Sequence, residues 1–127
     1  ANVQIRPWVS HRDLFARTAA VVTTGGSSTV RQALAFGVPV LAVPLEWDQL
    51  ENGARLEHCG AGIRLTRGQC TAARIRAAVN SLLANPGYRH HASRIQASFE
   101  RAEQNSGGAL ERLEALTPTA AAGRVQC

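Results

Sequence analysis

Short apolar runs typical of buried strands alternate with helical patterns along this chain, and that alternation limits the possible fold more than any other feature. Residues 20–23 and 38–44 are rich in Val and too short for helices, and residues 61–65 form a third such run. One helical pattern stops at Gly37, before the second run, and another stops at Gly60, before the third. Strands that alternate with helices predict an α/β fold, with a parallel sheet that carries helices on both faces.

N-cap residues and helix-breaking residues define the ends of two predicted helices. Asp48 is a candidate N-cap for the helix that ends at Gly60, and Thr71 is a candidate N-cap for the next helix. The apolar residues of the helix after Thr71 fall on one face, and the Asn-Pro-Gly sequence at 85–87 is expected to end it.

Weaker patterns flank this region. Apolar spacing predicts a helix around residues 88–99 and a separate last helix over 110–116, after the glycine pair 107–108. Upstream, residues 3–5 are predicted as a strand and residues 14–15 as part of a short helix. In parallel sheets ligands bind at the carboxyl ends of the strands, so the segments just after each strand are where chemistry is expected.

Size and composition exclude several protein classes. A chain of 127 residues that is 45% apolar can bury a core without disulfides, and it has no run near the roughly 20 apolar residues of a membrane span. The N-terminus carries no signal-peptide pattern, which predicts a cytoplasmic chain. Cys59, Cys70 and Cys127 are odd in number and lack C-x-x-C spacing, which favours reduced thiols over disulfides or a zinc site. One domain is expected over residues 1–116, followed by a flexible tail at 117–127.

The positive charges are not arranged as they are in nucleic-acid-binding proteins. All 14 basic residues are arginines, spread from Arg6 to Arg124, and they form neither a basic stripe nor a pattern interleaved with aromatics. We therefore expect no nucleic-acid partner. Methionine is absent, even from position 1, which predicts a processed chain or a piece of a longer one.

The loop at residues 23–29 (Thr-Thr-Gly-Gly-Ser-Ser-Thr) is the most informative segment. Gly25 and Gly26 let a ligand approach the backbone, and three hydroxyl residues open the helix behind them. Free N–H groups and the positive end of a helix dipole suit a phosphate or diphosphate. The alternative is an ordinary glycine turn with a Ser or Thr N-cap. The chain contains neither a P-loop, which needs a Lys, nor a G-x-G-x-x-G motif.

A second loop, at residues 44–49, combines two carboxylates, an indole and a carboxamide. The side chains of Asp48 and Gln49 can make bidentate hydrogen bonds to vicinal sugar hydroxyls, although Asp48 could equally be a plain N-cap. Trp8 could stack on a nucleobase or fill the core. The four histidines share no metal-ligand spacing, and His58, His90 and His91 are interpreted as surface or helix-packing residues.

Taken together, residues 8–49 resemble the donor-binding signature of the family 1 glycosyltransferases, which are GT-B enzymes, and the bacterial antibiotic and macrolide branch is most similar. Residues 8–11 match its W-x-P-Q segment, residues 21–29 match V-V-T-H-G-G-x-G-T, and residues 33–40 match E-A-L-x-x-G-V-P-V. Asp48-Gln49 follows at the family spacing, and weaker similarity continues to Leu116. The resemblance implies an incomplete, Rossmann-like GT-B C-terminal domain that binds a nucleotide sugar.

The resemblance also assigns roles to individual positions. Trp8 lies where the family stacks an indole on the nucleobase, residues 25–29 lie where it holds the diphosphate, and Asp48-Gln49 lies where it grips the sugar hydroxyls. The implied donor-binding residues are Trp8, Val9, His11, Thr24, Gly25, Gly26, Ser27, Ser28, Thr29, Gln32, Asp48 and Gln49.

Three positions depart from the family pattern. Thr24 replaces a His that stabilises the leaving group, so it can donate one hydrogen bond but cannot be cationic. Gln32 replaces a Glu that binds the ribose hydroxyls and therefore lacks charge assistance. Ser10-His11 replaces Pro-Gln in the first motif.

The resemblance implies an inverting, metal-independent hexosyltransferase without a cofactor. It would move a sugar from a UDP or dTDP carrier to a hydroxyl of a small-molecule natural product. The general base and the acceptor pocket would lie in an N-terminal domain outside this chain, so no catalytic base is expected here and the fragment alone should be inactive. The alternatives are a non-catalytic nucleotide-sugar-binding or activating subunit and a lipid-linked sugar transferase.

Overall fold

The computed structural model describes residues 2–116. The predicted tail at 117–127 and Cys127 lie outside the described residues. The elements are α1 (His11–Phe15), β1 (Val21–Thr23), α2 (Ser27–Ala35), β2 (Val40–Ala42), α3 (Asp48–His58), β3 (Gly62–Arg64), a 3₁₀ turn (Arg67–Gln69), α4 (Ala72–Ala84) and α5 (Pro86–Leu116).

The three strands form a parallel sheet in the order β1-β2-β3, which confirms the predicted α/β architecture. Val40 pairs with Val21 on one side and with Gly62 on the other. A Cβ atom at Gly62 would collide with the carbonyl oxygen of Val40, so only glycine allows β3 to approach β2 this closely.

Helices cover both faces of the sheet, as the sequence predicts. On one face Val40 and Ala42 pack with buried side chains of α2, α3 and α5, among them Leu34, Leu56 and Ala92. On the other face Leu41 packs with a second cluster. The members of that cluster from α4 are Ala78 and Leu82, with Ile75 and Val79 partly buried beside them. Alternate residues of β2 therefore pack against the helices on opposite faces of the sheet.

The local predictions near helix ends are mostly confirmed. The Thr71 hydroxyl accepts a hydrogen bond from the backbone N–H of Arg74 at 3.3 Å and caps α4, whose C-cap is Asn85. Phe15 is buried and anchors the predicted short helix α1. The Cys59 and Cys70 thiols are free and exposed. Within residues 2–116, no helix is both long enough and apolar enough to cross a membrane.

Two predictions of secondary-structure elements are wrong. Residues 3–5 are not a strand, because this segment has no strand partner within the described residues, and Ile5 is 91% exposed. Gly107 and Gly108 do not start a new helix, since α5 runs through them without a break. A glycine in a helix interior costs about 1 kcal/mol, and good helix formers such as Leu113 surround this pair.

Candidate functional site

The loops that follow β1 and β2 leave the sheet at the same edge. The two strands are parallel neighbours, and the backbone N–H of Val43 donates to the carbonyl oxygen of Thr23 at 2.8 Å. The N-termini of α2 and α3 consequently lie side by side at the carboxyl edge, where α/β sheets bind ligands.

The N-terminus of α2 is open. Gly25 has φ +93°, which other residues rarely adopt, and its N–H donates to the Thr23 hydroxyl at 3.3 Å. Gly26 is the N-cap and gives no side-chain cap, and the first turn carries no acidic residue. A Cβ atom at Gly26 would meet no atom within 4 Å. Free N–H groups, the dipole and the exposed hydroxyl of Ser28 can therefore receive an anion.

A hydrogen-bond network joins the two helix N-termini. The Ser27 hydroxyl donates to Asp48 Oδ2 at 2.7 Å. The amide nitrogen of Asn52 lies 2.9 Å from the Gly25 carbonyl oxygen, 3.0 Å from Ser27 Oγ and 3.3 Å from Asp48 Oδ2. The hydrogen bond from the Ser27 hydroxyl is the main cause that holds the pKa of Asp48 below its ordinary value; the Ser27 backbone and Asn52 add smaller contributions, and together these outweigh the effect of desolvation.

Asp48 is not the N-cap of α3. Trp47 occupies that position with φ +57°, and it is the one non-glycine with positive φ among residues 2–116. Asp48 is the first helical residue, and its carboxylate lies against Ser27 instead of capping its own helix. Of the two alternatives left open for Asp48, the N-cap interpretation is therefore wrong.

Gln49 is held by the loop that precedes it. Its side-chain oxygen Oε1 accepts from the backbone N–H of Leu45 at 3.0 Å and from that of Glu46 at 3.4 Å. These contacts use the oxygen of the amide and leave its nitrogen available. The half-buried side chain is fixed at the edge of the sheet beside Asp48.

A second network connects α1 to α2. The amide nitrogen of Gln32 donates to Ser28 Oγ at 2.9 Å, and its oxygen lies 3.2 Å from His11 Nδ1. With the Gln32 amide in this orientation, Nδ1 of His11 bears the proton and donates. His11 also stacks on Phe15, with ring centroids 5.0 Å apart. Three of the predicted positions, His11, Ser28 and Gln32, thus contact one another in a chain.

Trp8 and Val9 differ from the other predicted positions. The Trp8 side chain is 80% exposed, so the core-filling alternative is wrong, and Val9 is 41% exposed. Thr24 is exposed and Thr29 half-buried at the α2 N-terminus. The structure brings residues 24–29 together with the α3 side chains described above and leaves the tryptophan outside any packed cluster.

Asn52 was missed by sequence reasoning. It lies four residues after Asp48 on α3, a spacing that places two side chains on the same helix face. This spacing from Asp48 is the sequence signal that could have identified Asn52. Among the described residues, no group of three or more His, Cys, Asp or Glu side chains could hold a metal ion.

Comparisons with known proteins agree on one family. Residues 1–115 match the sequence profile described as erythromycin biosynthesis protein CIII-like, C-terminal domain. The chain is 34% identical over 99 residues to 4'-demethylrebeccamycin synthase of Lentzea aerocolonigenes, which covers 78% of this chain and 24% of that relative.

Solved structures give the same result. The glycosyltransferase of kitacinnamycin superposes with a TM-score of 0.83 at 27% identity, over 92% of this chain and 30% of that one. Glycosyltransferase VinC in complex with dTDP superposes with a TM-score of 0.75 at 31% identity, over 78% of this chain and 25% of that one. The chain therefore spans about a quarter of the length of the curated relative and a similar share of the solved structures.

Proposed function

The chain belongs to the family of erythromycin biosynthesis protein CIII-like C-terminal domains, and from this we propose that it is the donor-binding part of a glycosyltransferase. The complete protein would transfer a hexose from a UDP or dTDP carrier to a hydroxyl of a small-molecule natural product. The observation that carries the proposal is the open, uncapped N-terminus of α2 beside Asp48 and Gln49 at the carboxyl edge. A similar protein, VinC, is solved in complex with dTDP.

Each part of the site suits one part of a nucleotide sugar. The N–H groups of α2 and the Ser28 hydroxyl would hold the diphosphate, while the Ser27 hydroxyl donates to Asp48. The same groups would stabilise the charge that develops on the diphosphate as the glycosidic bond breaks. Asp48 and Gln49 would hold the sugar, and the exposed Trp8 would stack on the base.

The remaining parts of the reaction are assigned to polypeptide outside this chain. Attack on the anomeric carbon needs a general base that deprotonates the acceptor hydroxyl. Relatives are about four times longer than the stretch they share with this chain. We infer that an N-terminal domain of the complete protein supplies the base and the acceptor pocket, and that residues 1–127 alone do not catalyse transfer.

The proposal is tested by titrating the full-length protein with UDP and with dTDP in a calorimeter. Ser28→Ala should raise Kd about three- to tenfold, because one hydrogen bond to a charged group is lost. Ser81→Ala on α4 is the matched control, since Ser81 is exposed and lies on the helix that covers the opposite face of the sheet. Absence of binding by the unaltered protein, or an unchanged Kd for Ser28→Ala, contradicts the assignment.

A second candidate function rests on Thr24. A residue that cannot be cationic at this position fits a nucleotide-sugar-binding subunit that does not catalyse transfer. Thr24→His distinguishes the two. In an enzyme limited by leaving-group stabilisation the substitution should raise the turnover of the full-length protein, and in a non-catalytic subunit turnover stays absent.

A further inference from the structure

The three helices α2, α3 and α5, which cover one face of the sheet, leave an open cavity between them. Its volume is about 320 Å³, at the lower end of the range of small-ligand sites. The apolar side chains that line it are Val30, Leu34, Leu56 and Ile95. The first three are buried core residues and Ile95 is half-buried against them, so the packing of the fold holds this surface in place. A fixed apolar surface of this kind suits the ring or chain of a ligand.

The polar rim of this cavity is cationic. Arg31 of α2 and Arg55 of α3 both line it, and none of the described residues that line it is acidic. Arg55 forms an ion pair with Glu51, so its charge is partly offset. Arg31 forms no ion pair within the described part of the chain, not even with Glu103, which lines the neighbouring cavity between α2 and α5. The exposed guanidinium of Arg31 therefore keeps its charge available for a ligand.

A second cavity adjoins the first along α5 and adds to the positive charge. The two cavities share Cys59 and Ile95, and the second is also lined by Arg94 and Arg101. These two arginines are seven residues apart on α5, which places them on one face of the helix. The second cavity likewise has no acidic residue among the described residues that line it. We call the two cavities together the arginine groove; its charge favours anionic ligands over neutral ones.

We propose that the arginine groove binds a small amphipathic anion, whose apolar ring or chain lies on the apolar surface and whose single acidic group lies on Arg31. A guanidinium can make two parallel, charge-assisted hydrogen bonds to a carboxylate, sulfonate or phosphate group. The volume of the first cavity fits a small molecule and not a peptide helix. The proposal goes beyond the proposed function, since no part of this groove needs a nucleotide to be complete.

Two fluorescent probes with the same apolar body test the role of charge. Anilinonaphthalene sulfonate carries a sulfonate group, and phenylnaphthylamine lacks it. Titration of the full-length protein should give a Kd for the sulfonate at least about tenfold lower than that for the neutral probe. Arg31→Gln should raise the Kd for the sulfonate about tenfold and leave that for the neutral probe within about twofold. Arg76→Gln is the matched control, because Arg76 is exposed on α4, across the sheet, and should change neither Kd.

Two thiols of the chain locate the bound probe. Cys59 lines both cavities of the groove, whereas Cys70, which is also free and exposed, lines neither. At about ten times its Kd, the sulfonate should slow alkylation of Cys59 by iodoacetamide at least about fivefold and leave that of Cys70 unchanged, as mass spectrometry of the two peptides measures. Cys59→Trp places a large side chain in the shared part of the groove and should weaken binding of both probes.

The outcomes separate this site from the nucleotide position. Ser27 and Asn52 border the groove, but two anions that are separated by solvent repel each other only weakly at physiological salt. Saturating UDP should therefore leave the Kd for the sulfonate within about threefold. Displacement of the sulfonate by UDP, equal Kd values for the two probes, an unchanged Kd in Arg31→Gln, or equal protection of both thiols overturns the proposal. A full-length protein that binds the sulfonate but neither UDP nor dTDP contradicts the proposed function and supports this site.

Discussion

The loops after β1 and β2 and the segment that precedes α1 are held in very different ways. Three hydrogen bonds join Gly25 and Ser27 to Asp48 and Asn52 across the two loops. The preceding segment carries Trp8, 80% exposed, and has no helix or strand over residues 2–9. The proposed diphosphate and sugar positions are thus preorganised by this chain, whereas the proposed base position is open before a nucleotide binds.

The largest expected effect on nucleotide affinity comes from straining the preorganised loop after β1. Gly25→Val places a β-branched residue at φ +93°, with its Cβ 3.4 Å from the Gln49 carbonyl oxygen. Such strain costs about 1–3 kcal/mol and displaces the loop, so Kd of the full-length protein for UDP and dTDP should rise about a hundredfold. Thermal unfolding should also begin at a lower temperature. A variant that binds UDP and dTDP with unchanged Kd contradicts the view that this loop is rigid and binds the nucleotide.

A smaller effect on nucleotide affinity is expected from Trp8, in the segment that precedes α1. Substitution of this exposed residue should leave the stability of the fold unchanged. Trp8→Ala removes a stacking surface worth about 1–3 kcal/mol, so Kd for UDP and dTDP should rise about tenfold while the unfolding temperature stays the same. Trp47→Ala is the matched control, because Trp47 is 81% exposed and is not assigned to the base. Equal losses in both variants would remove the distinction between the two tryptophans.

The smallest effect concerns the titration of Asp48. The Ser27 hydrogen bond holds the pKa of Asp48 below its ordinary value of 3.8. A lowered folded-state pKa contributes stability above the unfolded value, and that contribution is lost as pH falls through the folded one. Ser27→Ala should therefore raise the pKa of Asp48 towards 3.8 and weaken the acid dependence of stability below that pH. NMR titration of the carboxyl carbon measures the shift, and an unchanged pKa contradicts the network.

Local patterns sufficed for most of the fold. The strands, α2 and the Thr71 cap follow from residues within one short window of sequence, which propensity and periodicity can read. The strand predicted at 3–5 failed because pairing depends on a neighbouring strand that alternation alone does not supply. The break at Gly107 failed because a modest glycine cost did not outweigh the surrounding helix formers.

In the candidate site, too, local features could be predicted and contacts between distant residues could not. The glycine loop and the Asp48-Gln49 pair are contiguous motifs and could be predicted. Asn52 could be predicted only as a neighbour of Asp48 on the same helix face, because its contact with Gly25 joins residues 27 positions apart. The hydrogen-bond direction at Asp48 and Gln49 is also non-local, because it depends on which donors the folded chain places around each oxygen.

The central claim, that a nucleoside diphosphate binds at the N-terminus of α2, is tested most directly by two matched glycine substitutions. A Cβ atom at Gly26 or at Gly68 would meet no atom of the chain within 4 Å, so both alanine variants should unfold at the same temperature as the unaltered protein. Only Gly26→Ala should obstruct the diphosphate and raise Kd of the full-length protein for UDP and dTDP, by at least about fivefold. Equal affinity of Gly26→Ala, Gly68→Ala and the unaltered protein would contradict the claim.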